Sequence, residues 1–158
     1  MQAVNDIRDL LAEDWIPQIY QEQVRPLRTR SVEMELREKE NFPAIQYTLL
    51  GVELKVGRVR IACPDIGTAR YLAVFARFGC RKVAVPYDIT KLPELGLTLE
   101  KAWERTEARV AEKTAGASPQ MKGRTRASLI RRVRDEVALI GAGGLMPLFD
   151  TSTRQRES

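Results

Sequence analysis

The stretch VRIACPDIGTARYLAVFARFGCRKVAVP, residues 59–86, decides the fold. Val59 to Cys63 is short, apolar and β-branched, which reads as a strand. Pro64-Asp65 breaks it, and Asp65 or Thr68 can cap the helix that follows. Ala69 to Phe78 is strongly apolar and Gly79 stops it. Lys82 to Pro86 is a second apolar strand. A strand, a helix and a strand joined by so short a link predict a βαβ unit, hence a parallel pair. Cys63 then lies at the end of one strand and Cys80 near the start of the next. Five-residue strands place them on the order of 15 Å apart, too far for a disulfide.

Working back from this unit, Lys55 to Arg60 predicts a tight hairpin with Gly57 at the first turn position of a type II′ loop. A two-residue loop pairs Val56 with Val59, Leu54 with Ile61 and Val52 with Cys63, so register and burial agree. The opposite face carries Glu53, Lys55 and Arg60. Ile45, Tyr47 and Leu49 lie on a strand whose apolar phase then shifts to Val52, Leu54 and Val56, which predicts a bulge or bend at Leu50-Gly51. Ser31 to Arg37 alternates, with Val32, Met34 and Leu36 on one face. At the start, Asn5 or Asp6 caps a helix carrying Ile7, Leu10, Leu11 and Trp15. Pro17 opens a second segment with Ile16, Ile19, Tyr20 and Val24. The two make a kinked amphipathic helix that covers a sheet.

Working forward, Lys91 to Leu97 predicts a loop. Thr98 caps a helix to Glu112 with Leu99, Trp103, Thr106 and Val110 on one face. Thr114 to Gly123 is a linker by composition. Ser128 to Ile140 predicts a last helix with a Leu129, Val133, Val137 and Ile140 stripe. The expected fold class is α/β (α+β). A small mixed sheet of about four strands, a β-meander followed by the βαβ unit, is packed by N-terminal and C-terminal helices. Residues 1–113 form one domain, 114–123 a linker, 124–141 a basic helix and 142–158 a flexible tail.

Composition narrows the chemistry. The chain has 158 residues and 17.9 kDa, one domain in size. No apolar run approaches the roughly 20 residues of a membrane span. Met1 to Asp14 holds four acids and one base, the wrong charge for a signal peptide. Histidine is absent, which excludes imidazole triads, Cys-His pairs and imidazole zinc sites. Two cysteines are too few for a four-thiolate metal site, and a reducing cytoplasm is the expected compartment. Neither GxGxxG nor GxxxxGK[ST] occurs.

Lys+Arg is 26 and Asp+Glu 21, a net charge of +5. Six cations, Lys122, Arg124, Arg126, Arg131, Arg132 and Arg134, fall in one stretch with no acid between them. Such a cluster gains affinity for nucleic acid by releasing phosphate counterions. The alternative is a solvated face in which Arg131 with Asp135 and Arg132 with Glu136 pair at i,i+4. Arg25, Arg28 and Arg30 form a second basic group. Cys63-Pro64-Asp65, at a strand end beside a helix N-terminus, is either a thiol of lowered pKa or a buried structural cysteine.

Glu53-Leu54-Lys55 is an E-x-K on a strand with both side chains on one face. In metal-dependent nucleases the acid holds a divalent ion and the lysine steadies the attacking water. A further acid is needed, and Asp65 is the best candidate, with Glu33 and Glu35 behind it. Helix, three-strand meander, helix and parallel strand resembles the core order of the PD-(D/E)xK nuclease superfamily. Ala69 to Val85, ARYLAVFARFGCRKVAV, is similar to the helix and strand after the catalytic strand in archaeal-type Holliday-junction resolvases. The resemblance covers roughly Ser31 to Tyr87. It implies Glu53, Lys55 and Asp65 as catalytic residues, with Glu53 and Asp65 on a Mg²⁺. In that topology, however, the E-x-K belongs on the strand directly before the helix, and here it sits one strand earlier.

Gly144 to Phe149, GLMPLF, is similar to the short peptides by which bacterial DNA-metabolism proteins dock on the sliding clamp. Leu145, Leu148 and Phe149 match the apolar anchors, and Gly144 stands where those peptides carry glutamine. Folding back onto this chain or a sister chain is the alternative. The expected function is a nucleic-acid-associated accessory protein that binds by charge and docks a protein partner by its tail. A metal-dependent or degenerate nuclease and a non-catalytic oligomeric module are the alternatives.

Overall fold

The two strands that flank the central helix lie in different sheets. The computed structural model describes residues 1–143. Its element order is α1 (Gln2–Leu11), a 3-10 turn (Ala12–Asp14), α2 (Ile16–Ile19) running into a π turn (Tyr20–Val24), β1 (Thr29–Glu33), β2 (Ala44–Thr48), β3 (Gly51–Val56), β4 (Val59–Cys63), α3 (Ile66–Arg77), β5 (Lys82–Pro86), a 3-10 turn (Ile89–Lys91), α4 (Leu92–Lys113) and α5 (Pro119–Ile140). The chain is mixed α/β. The single mixed sheet and its parallel βαβ pair are corrected: β2-β3-β4 is one antiparallel sheet, and β1-β5 is a second. The parallel strand that the nuclease resemblance implies is thus missing among the described residues.

The reason lies at the edges of β5. One edge pairs with β1 from Thr29↔Pro86 to Glu33↔Lys82, and Met34 N donating to Arg81 O and Tyr87 N donating to Arg28 O extend the ladder. The other edge is closed by two buried tyrosines. Ala84 N donates to the Tyr20 hydroxyl at 2.9 Å, and the Tyr71 hydroxyl donates to Ala84 O at 2.6 Å. With these backbone groups satisfied, no ladder remains for β4. Tyr20 and Tyr71 both lean on Phe75, at ring separations of 5.4 and 5.2 Å. One aromatic cluster therefore holds the π turn after α2, α3 and β5 together.

Locally, the hairpin reading holds in full. Val56 faces Val59, Leu54 faces Ile61 and Val52 faces Cys63. Gly57 takes φ +61° while Arg58 keeps a negative φ, as a type II′ turn requires and a type I′ turn forbids. The expected bulge at Leu50-Gly51 is instead a second tight turn, with Thr48 opposite Gly51, so the phase shift marks a change of strand. Leu49 and Leu50 sit fully exposed at its tip. The strand expected over Ser31–Arg37 spans Thr29–Glu33, and Met34 and Leu36 are buried beyond its end.

Helix boundaries also move. α1 starts at Gln2, ahead of Asn5 and Asp6, and Leu10 faces solvent. The loop expected over Lys91–Leu97 is mostly the first turns of α4, with Pro93 early in the helix where its missing N–H costs nothing. Gly96 faces α3, where a Cβ would make ordinary contact at 3.7 Å from Tyr71 N, so the position would also hold an alanine. The linker expected over Thr114–Gly123 shortens to 114–118, because Ser118 caps α5 by accepting from Met121 N at 3.1 Å. α5 is part of the core, with Thr125, Leu129, Ile130, Val133 and Val137 buried.

Candidate nucleic-acid interface

α5 carries the six expected cations, and its buried stripe forces them onto different flanks. Arg126 is spent on structure. Its Nε donates to Glu40 at 2.8 Å, Nη1 and Nη2 donate to Glu107 at 2.8 and 3.1 Å, and its guanidinium stacks over Trp103 at 5.5 Å. The Glu107 hydrogen bonds hold its pKa above the usual arginine range. Arg132 donates to Glu136 at 2.8 Å and to Asn5 at 3.1 Å, while Trp15 Nε1 donates to the other Glu136 oxygen. The expected Arg132–Glu136 pair therefore forms. The Arg131–Asp135 pair does not: Arg131, Lys122 and Arg124 are exposed and make no ion pair among the described residues.

Arg134 differs from all of these. Its Nη1 donates to two backbone carbonyls, Lys39 O and Phe78 O, each at 3.2 Å. Arg81 does the same, Nε and Nη2 donating to Leu36 O at 3.1 and 2.9 Å. Carbonyl acceptors fix a guanidinium's position without cancelling its charge. Three adjoining cavities share Arg134, and they bring Arg37, Lys39, Arg81, Lys82 and Arg131 around it. Among the described residues the acids on this face are Glu38, Asp135 and Glu40, the last already bound to Arg126.

Sequence reading missed Arg37, Lys39, Arg81 and Lys82, which lie far from α5 along the chain. A local signal existed at Gly79. Its φ is +75°, and a Cβ there would stand 2.6 Å from Lys39 O, so the helix stop is also where the 36–40 segment packs. The Arg81-Lys82 pair that follows is delivered to the same place. Of the second basic group, Arg25 donates to Thr29 Oγ1 and Gly143 O, and Arg28 stacks over Tyr87 at 5.2 Å.

The nuclease residues do not form a comparable group. Glu53 and Lys55 share the outer face of β3, but Glu53 Oε1 is buried, lacks a hydrogen bond among the described residues and lies 3.8 Å from Arg60. Asp65 accepts from Thr68 N at 2.7 Å as the cap of α3. Among the described residues no three acidic or cysteine side chains converge as a metal site would need. Cys63 is a buried structural thiol: burial raises its pKa, against the lowered value its position suggested. Leu145, Leu148 and Phe149 lie outside the described residues. No helix among the described residues is long and apolar enough to cross a membrane. The chain matches no family model, no curated protein and no solved structure.

Proposed function

We propose that the chain is a nucleic-acid-associated accessory protein that holds backbone phosphates on the face centred on Arg134. The observation that carries this reading is that Arg134 and Arg81 are fixed by carbonyl oxygens and keep their full charge. Lys39, Lys82, Arg37 and Arg131 add mobile cations around them. Fixed guanidinium forks suit phosphate oxygens, and the surrounding charge gains from counterion release. Among the described residues no aromatic side chain lines these cavities, which favours phosphate contact on a duplex over base stacking on a single strand.

The test compares two double variants of equal charge change in binding to a duplex oligonucleotide. Lys39→Glu with Arg131→Glu strikes the face. Arg58→Glu with Lys101→Glu alters exposed residues outside it. The first pair is expected to lose roughly tenfold or more in affinity at moderate salt, and the second far less. Equal losses, or no duplex binding by the unaltered chain, overturn the proposal.

A further inference from the structure

We infer that the cavity between the start of β5 and the last turns of α5 is a binding site for one nucleoside monophosphate unit, free or at the end of a strand. The inference rests on the phosphate-binding reading of the Arg134 face and deepens it. The cavity measures about 380 Å³, within the usual range for small-ligand sites of roughly 300–1,000 Å³. Two kinds of wall meet in it. Cys80, Val137, Ala138 and Ala142 are apolar; burial pushes the Cys80 thiol up to about 12, so it stays neutral at physiological pH. Across from them stand Arg81, Lys82 and Arg134, three cations against one carboxylate among the described residues, that of Asp135.

The donor pattern narrows the ligand. Arg81 commits Nε and Nη2 to Leu36 O, and Arg134 commits Nη1 to Lys39 O and Phe78 O. Nη1 of Arg81 and Nε and Nη2 of Arg134 have no acceptor among the described residues. They supply N–H donors for a phosphate dianion on guanidinium groups that need little reordering. An apolar wall asks for a flat, weakly hydrated body beside that anion. Asp135 asks for a donor on it, such as a ribose hydroxyl or an exocyclic amine. Inorganic phosphate leaves the apolar wall uncovered, and a fatty acid offers no donor to Asp135. A nucleotide meets all three.

Calorimetric titration of the full chain with AMP, adenosine, inorganic phosphate and laurate tests this. AMP is expected to bind at least tenfold tighter than each of the other three. Ala138→Trp, which fills the cavity from an exposed helix position, is expected to weaken AMP at least tenfold while leaving circular dichroism unchanged. Arg81→Gln is expected to lose AMP to a similar extent, and it carries the test if the tryptophan disturbs folding. Competition of a 5′-phosphorylated dinucleotide with AMP assigns a strand end, and its failure assigns the free nucleotide. AMP binding equally well to Ala138→Trp in its native fold, or inorganic phosphate or laurate matching AMP, overturns the inference. Absence of duplex binding by the unaltered chain, with AMP binding intact, overturns the broader phosphate-face reading and leaves the cavity assignment standing.

Discussion

Replacing Tyr20 by phenylalanine removes one oxygen and leaves the ring where it packs. In the native fold that oxygen accepts from Ala84 N at 2.9 Å and donates to Gly141 O at 2.7 Å. Ala84 is fully buried, so water cannot replace the lost acceptor. An orphaned buried N–H costs about 1–3 kcal/mol. Gly141 is only half-buried and its carbonyl regains water, which adds at most about 0.5 kcal/mol. The expected loss is thus about 2 kcal/mol, a fall in Tm of roughly 4–8 °C for a chain of this size. Urea unfolding followed by tryptophan fluorescence reads it directly, with an unchanged m-value because no new surface is exposed. Tyr71→Phe should cost less, since it orphans only an acceptor, Ala84 O. The double variant should be non-additive by at least about 0.5 kcal/mol, because both hydroxyls act on one residue. A Tyr20→Phe chain within about 0.5 kcal/mol of the parent refutes the idea that the tyrosines close the β5 edge.

Other outcomes follow from the same structure. Gly79→Ala combines φ +75° with a Cβ only 2.6 Å from Lys39 O, and it should cost more than about 2 kcal/mol in the same unfolding assay. Stability should fall in alkali. Burial raises the pKa of Tyr20 and Tyr71 and raises Cys80 from 9.0 to about 12, so the unfolded chain releases these protons first. Their contribution is complete below about pH 9, and each group removes up to about 1.4 kcal/mol per pH unit above its unfolded pKa. Tyr71→Phe should flatten the decline above pH 10, as a pH series of urea midpoints will show. Arg126→Ala should lose about 1–2 kcal/mol through its partly exposed pairs with Glu40 and Glu107 and its stacking on Trp103. Arg131→Ala should leave stability within about 0.5 kcal/mol, because its side chain is exposed and unpaired among the described residues.

What the sequence made legible was local. The Gly57 hairpin and the Leu99, Thr106, Val110 and Leu129, Val133, Val137 stripes follow from period and turn chemistry alone. What it hid was long-range. Which strand takes β5 depends on β1, about fifty residues earlier, and on hydroxyls of Tyr20 and Tyr71 that look like ordinary core aromatics in the sequence. The strand-helix-strand reading of 59–86 is sound for each element and wrong for the pairing of its strands. Pro93 and Gly96 suggest a loop because propensity penalises both, yet Pro93 sits at a helix start and Gly96 is one buried residue within a 22-residue helix that the surrounding apolar stripe holds.

The candidate site shows the same division. The α5 arginine cluster was visible, but the two best-anchored guanidiniums are distinguished by what they bind. Arg126 and Arg134 are indistinguishable as letters, and one faces carboxylates while the other faces carbonyls. Arg81 joins Arg134 only because Gly79 turns the chain against residues 36–40. The E-x-K of β3 was equally visible and is not joined by a cluster of acids, since Asp65 serves the N-terminus of α3.

The central claim, that the charge around Arg134 is left free for phosphates, is tested most directly by duplex affinity across a salt series. Four to six phosphate contacts predict that log K falls against log salt with a slope of about −4 to −5. A slope near zero between low and moderate salt would contradict the account.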